Sequence, residues 1–200
     1  MEPRRKGLVQ LYIDGEAALR IDRFISVQQG LKPGMHLSDE ELRRLIRLSD
    51  AQRAQEKALY LLEYRSRSKG ELLDRILSDG ISREAAEAAI IRLEELDLVN
   101  DARFARTYTK MLTEQKKYGR QRVRQGLRQK GISQEIIEEV LAEMELDPET
   151  NQENIIAFLE KKYPQMQEDP AVKRRGIAAL QRRGFSYEEI LSALRRMTED

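Results

Sequence analysis

Three short segments constrain the fold of this chain more than anything else in it. They are Gly80-Ile81-Ser82-Arg83-Glu84, Gly131-Ile132-Ser133-Gln134-Glu135 and Gly184-Phe185-Ser186-Tyr187-Glu188, spaced 51 and 53 residues apart. Each reads as one helix ending and another beginning. The glycine takes the left-handed conformation past a helix end, the apolar residue packs back, and Ser caps the next helix. The glutamate then sits in the first turn, where the helix dipole favours negative charge.

The flanks keep the same register. Four residues before each glycine stands Ile76, Leu127 or Leu180. After it, one helical face is apolar: Ala86, Ala89, Ile90 and Leu93, then Ile137, Val140, Leu141 and Met144, then Ile190, Ala193, Leu194 and Met197. One Gly-x-Ser turn is coincidence, whereas three in register with their apolar faces are a tandem repeat of about 50 residues.

Each copy also has an opening helix. Residues 51–65 supply the first, followed by a capping box at Ser68-Lys69-Gly70-Glu71. Asp101 caps the second, with Phe104, Ala105, Tyr108 and Leu112 facing inward. In the third, Asp147-Pro148 and Asp169-Pro170 each place a cap before proline at the first helical position. The expected fold is therefore mainly α, an elongated array of three tandem three-helix repeats at 50–98, 99–146 and 147–200.

Residues 1–49 differ. LVQLYI and EAALRI flank Asp14-Gly15, a strong hairpin signal. Asp22 to Gln29 reads as a short helix, and Ser38-Asp39-Glu40-Glu41 as a capping box opening another. A small β-hairpin-plus-helix appendage is expected here.

Composition narrows the function. The chain holds one histidine, His36, and no cysteine. Neither a hydrolase dyad, a disulfide nor a conventional zinc site can be assembled from that set. The glycines stand singly at helix ends, so no phosphate-binding loop is present. A non-enzymatic protein without cofactor or metal is expected. Nothing resembles a signal peptide or membrane span, which points to the cytoplasm.

What remains is charge. Lys116 to Gly131 carries seven cations and no acid, and Gln134 to Glu149 carries seven acids and no base. On a helical wheel for 119–130, Val123, Gly126 and Leu127 form the buried face. Arg120, Arg124 and Arg128 make a stripe beside it, and Arg122 stands on the other flank. In the third copy Lys173 matches Arg120, Arg175 matches Arg122, and Arg183 matches Lys130, with Arg174 and Arg182 adding to the set. The first copy is weaker, offering Lys69 with Arg65 and Arg67 just ahead. Such a stripe suits phosphate backbone or an acidic protein surface. Its densest unopposed charge is expected on the middle repeat.

These residues resemble a known family. Arg65-Ser66-Arg67-Ser68-Lys69-Gly70-Glu71-Leu72 is similar to the first-repeat signature of the RecX recombination regulators. Leu93 to Leu98 with Asn100-Asp101-Ala102-Arg103-Phe104-Ala105, and Gly119-Arg120 through Ile132, resemble its next two motifs. The resemblance implies a regulator that binds the RecA recombinase filament along its groove and suppresses ATP hydrolysis, strand exchange and co-protease activity. It also implies weak, sequence-nonspecific contact with single-stranded DNA. A monomer is expected. The competing readings are a sequence-nonspecific nucleic-acid-binding architectural protein and a helical scaffold that touches no nucleic acid.

Overall fold

The structure is a computed structural model that describes residues 7–143 and 148–199. Strands β1 (Leu8–Ile13) and β2 (Glu16–Asp22) pair antiparallel, with a bulge where the register shifts at Leu11/Tyr12. Asp14 and Gly15 turn the hairpin with φ of 51° and 87°, the two positive values a type I′ turn needs. The short helix α1 (Arg23–Gln28) follows, capped by the Asp22 carboxylate, which accepts from Phe24 N and Ile25 N.

The next helix corrects the sequence reading. The helix opening at Ser38 and the one expected at 51–65 are a single element, α2 (Asp39–Tyr64), 26 residues long. No Gly or Pro interrupts 39–64. Ser49 and Asp50 have the composition of a cap, but their side chains bond outside the helix. Ser49 Oγ accepts from Asp22 N at 2.8 Å, and Asp50 Oδ2 accepts from Ser82 N at 2.9 Å.

The remaining helices are α3 (Lys69–Leu77), α4 (Arg83–Glu95), α5 (Asp101–Lys110), α6 (Arg120–Gln129), α7 (Gln134–Glu143), α8 (Pro148–Lys162), α9 (Pro170–Arg182) and α10 (Tyr187–Glu199). A π-helical turn, Met111–Gln115, extends α5. Two compact units divide the chain, Met1–Asn100 and Asp101–Asp200. The first holds the hairpin, α1 and the first three-helix repeat; the second holds the other two repeats.

Every repeat folds around its own apolar cluster, built from the faces read in the sequence. Ile76, Leu127 and Leu180 are fully buried, as are Ala86, Ile137 and Ile190 at the matching place on the third helix. Gly80, Gly131 and Gly184 have φ of 72°, 71° and 89°, the left-handed conformation expected of them. In the second and third repeats the apolar residue after glycine closes the turn, with Ile132 N donating to Leu127 O and Phe185 N to Leu180 O, both at 3.2 Å.

The three serines are less alike than their sequences. Ser186 makes a full reciprocal cap with Glu189 (2.6 and 3.2 Å), whereas Ser133 Oγ only reaches Ile136 N at 3.5 Å. Ser82 makes no side-chain cap bond. The Ser82 N–H, whose counterpart at Ser186 donates to Glu189, donates instead to Asp50 of α2. Asp101 is itself the first residue of α5 and is buried. Met144 and Asp147 lie outside the described residues. Asp169 caps α9, accepting from Ala171 N at 2.7 Å.

Candidate partner-binding surface

The basic residues read from the sequence fall on the second helix of each repeat and its two flanks, but their surroundings differ. In the first repeat they are engaged within the chain. The Arg65 guanidinium grips the Glu71 carboxylate at 2.9 and 3.0 Å, and Lys69 pairs with Glu94 at 2.9 Å. Arg67 is half-buried and donates from Nε to Leu61 O at 3.1 Å. Burial, then the neighbouring Arg65 charge, lowers its pKa from the usual arginine value.

In the second repeat, the expected stripe is broken. Arg124 pairs with Glu138 of α7 at 3.0 Å, and Arg128 donates to Gln134 Oε1 at 2.9 and 3.3 Å. Of the three, only Arg120 is exposed with no side-chain partner among the described residues. Arg122 lies 5.8 Å from the centre of the Tyr118 ring and Lys130 lies 5.7 Å from that of Tyr108. The acidic helix is answered too: Arg106 of α5 bonds Glu139 and Glu143, each at 2.7 Å. The Arg106 hydrogen bond holds the Glu143 carboxyl below the ordinary glutamate value. On α6 Arg124 is thus opposed by an acid and Arg128 by a neutral amide, so the stripe is not uniformly unopposed as expected.

The third repeat is where the cations stand open. Lys173, Arg174, Arg175 and Arg182 are exposed on α9, without a side-chain partner among the described residues. Arg183 is not part of that set. Its guanidinium sits 4.8 Å from the Phe158 ring centre and 5.2 Å from that of Tyr118, and it donates to the carbonyls of Lys116 and Lys117. It joins the third repeat to the loop ahead of α6. That loop supplies two cations the sequence reading left out of its candidate set, Lys116 and Lys117, both exposed and without side-chain partners among the described residues. Lys117 has φ 53°, a strained value for a lysine. The signal for both was present: the cationic block begins at Lys116. A cleft of about 590 Å³ lies at this junction, with Tyr118, Arg122, Phe158 and Arg182 on its walls.

Among the described residues, no group of His, Cys, Asp or Glu has the geometry to hold a metal ion. Among the same residues, no helix is long and apolar enough to cross a membrane. What the surface offers is cationic side chains on helices, the chemistry of anion recognition.

Comparison with known proteins places these three repeats. Residues 54–93, 100–141 and 149–194 match, in order, the first, second and third three-helix domains of RecX. A regulatory protein RecX from Caldanaerobacter subterraneus subsp. tengcongensis is 30% identical over 184 residues, 92% of this chain and 90% of that protein. The chain belongs to the RecX family.

Other relatives agree. Regulatory protein RecX of Clostridium tetani is 28% identical over 98% of this chain and 91% of its own length. That of Lactobacillus gasseri is 33% identical over 71% of this chain, but the match spans only 52% of the Lactobacillus protein. Two RecX crystal structures share the fold. One has a TM-score of 0.65 at 23% identity, covering 95% of both chains. The other, from Lactobacillus salivarius, has a TM-score of 0.67 at 24% identity, covering 76% of this chain and 99% of that one.

Proposed function

We propose that this chain binds the RecA recombinase filament, contacting its groove and the DNA within it, and inhibits ATP hydrolysis, strand exchange and co-protease activity. Membership of a family of regulatory proteins supports a non-catalytic role. The observation that carries the reading to particular residues is the row of open cations on α9, Lys173, Arg174 and Arg175, with Arg182 near its far end and Arg120 at the start of α6. A guanidinium or ammonium already paired in the free protein must break that pair to bind a carboxylate or phosphate, and it gains little by the exchange. One without a partner gains the whole contact, roughly 1–3 kcal/mol when charge-assisted. The third repeat and the start of α6 therefore dominate binding, and the first repeat's cations serve its own stability.

Co-sedimentation with RecA-coated single-stranded DNA, against bare single-stranded DNA at two salt concentrations, tests the reading. Preference for the coated filament supports it. Equal capture by bare DNA with a steep salt slope favours a nonspecific nucleic-acid-binding protein instead.

A further inference from the structure

The loop ahead of α6, the start of α6, α8 and the end of α9 meet around the cleft of about 590 Å³. Backbone ties its walls together. Gly119 N and Gln121 N donate to the carbonyls of Arg183 and Gly184 at 2.9 and 3.1 Å. The approach leaves no room for a side chain: a β-carbon on Gly119 would lie 2.5 Å from Gly184 O. The cleft is thus built into the free chain.

Among the described residues, three guanidiniums line it, those of Arg122, Arg182 and Arg183, and no carboxylate does. Arg122 and Arg183 stand 5.8 and 5.2 Å from the centre of the same Tyr118 ring. No acid answers either charge among the described residues. Arg122 bonds the neutral amide of Gln125 at 2.5 Å, and Arg183 bonds the backbone carbonyls of Lys116 and Lys117. Arg182 is exposed and without a side-chain partner among the same residues. Like charges gathered in a concave site repel one another, and an anion entering there relieves the repulsion.

The rest of the lining is flat. Tyr118 and Phe158, both half-buried, put rings on the walls, and Arg183 lies 4.8 Å from the Phe158 ring centre. Gln125 and Gln181 add amides that donate and accept. Cations alone suit any acidic segment. Cations with rings, guanidinium planes and amides suit a ligand that has both a π-face and a phosphate, which is a nucleotide with its base unpaired. The volume falls within the roughly 300–1,000 Å³ of small-molecule sites.

The surroundings favour a strand over a free nucleotide. Arg175, Ala179 and Arg182 share one face of α9, at positions i, i+4 and i+7. The last two line the cleft, so the exposed Arg175 continues it along the helix. Lys116 and Lys117 stand exposed on the loop that supplies Tyr118. Neighbouring phosphates of a strand therefore have cations to meet.

We propose that this cleft takes one unpaired nucleotide of single-stranded DNA, its base against Tyr118 and Phe158 and its phosphates on Arg122 and Arg182. The site rests on the DNA contact proposed above and owes nothing to the RecA contact, so its test contains no RecA.

Fluorescence anisotropy with a short labelled oligothymidylate, and with an abasic strand of equal length and charge, separates stacking from charge. The wild type should bind the oligothymidylate about tenfold tighter or more, the scale of one base–aromatic stack. Tyr118→Leu with Phe158→Leu should cut that preference below about twofold, leaving the abasic affinity and the salt dependence unchanged. Arg122→Gln with Arg182→Gln should weaken both strands alike and make the salt dependence shallower. Tyr187→Leu, at an exposed ring on α10 outside the cleft, should keep the preference. Equal binding of the two strands by the wild type overturns the proposal, even where a variant fails to fold. So does a ring variant, folded by far-ultraviolet circular dichroism, that keeps the preference. Oligoglutamate or free thymidine monophosphate displacing the oligothymidylate at the strand's own concentration would overturn it too, in favour of an acidic segment or a free nucleotide. A wild type that binds neither strand removes this site together with the DNA contact, and leaves RecA binding to be judged by co-sedimentation.

Discussion

Around Gly80 the cations are paired: Arg53 with Asp50, Lys57 with Asp79, Arg65 with Glu71 and Lys69 with Glu94. Along α9, which leads into Gly184, Lys173, Arg174 and Arg175 have no such partners among the described residues. The two regions share a helix, a left-handed glycine and an apolar face. They differ in whether a neighbouring element places an acid within reach. Availability for a partner is thus set one element away from the cation, and counting basic residues along one helix misjudges it.

The contrast is open to direct attack. Changing Lys173, Arg174 and Arg175 together to Ala should lower filament binding by at least about two orders of magnitude, the loss of several charge-assisted contacts. Arg65→Ala with Lys69→Ala should change it less than about threefold, since both cations are already engaged by carboxylates of the first repeat. Equal losses in a co-sedimentation assay would erase the distinction between the repeats.

The glycines sharpen it in terms of stability. At Gly80 a β-carbon meets open space, so Gly80→Ala should cost only the left-handed penalty of roughly 1–2 kcal/mol. At Gly184 the same change also drives a β-carbon into the Arg122 backbone, and the loss in chemical denaturation should exceed about 3 kcal/mol. Next in size is Arg183→Met, which removes two ring contacts and the bonds to the Lys116 and Lys117 carbonyls; about 2 kcal/mol is expected by the same measurement.

The smallest effect concerns pH. Glu143 titrates below an ordinary glutamate because Arg106 hydrogen-bonds it. A carboxyl depressed in the folded state contributes stability above its unfolded value, and loses it as pH falls through the folded one. The melting-temperature gap between wild type and Arg106→Gln should therefore be widest near neutrality and close as the solution is acidified below the glutamate range. High salt should narrow it at every pH, because the pair is exposed.

Much of the fold was legible because it is written in local terms. A left-handed glycine, a β-turn pair and apolar positions at helical spacing depend on residues within a turn or two of each other. Ser82 and Ser186 show where that ends: the Ser186 N–H finds its acceptor in Glu189 three residues on, whereas the Ser82 N–H finds its acceptor in Asp50, 32 positions earlier. The candidate surface failed in the same way. Arg124 reads as open until Glu138 is seen across the turn, and Arg183 aligns with surface cations until Tyr118 and Phe158 are seen to enclose it. The fusion of two expected helices into α2 was hidden by Ser49 and Asp50, whose cap-like chemistry serves other elements.

Those two adjacent residues have a consequence for how the first hundred residues come apart. Ser49 holds the end of the β-hairpin and Asp50 holds the turn into α4, from consecutive positions of one unbroken helix. Fraying α2 near its middle releases both attachments together. The hairpin accordingly has no melting transition of its own: it should exchange its amide protons in step with the first repeat, as one cooperative folding unit with α2 as its shared spine.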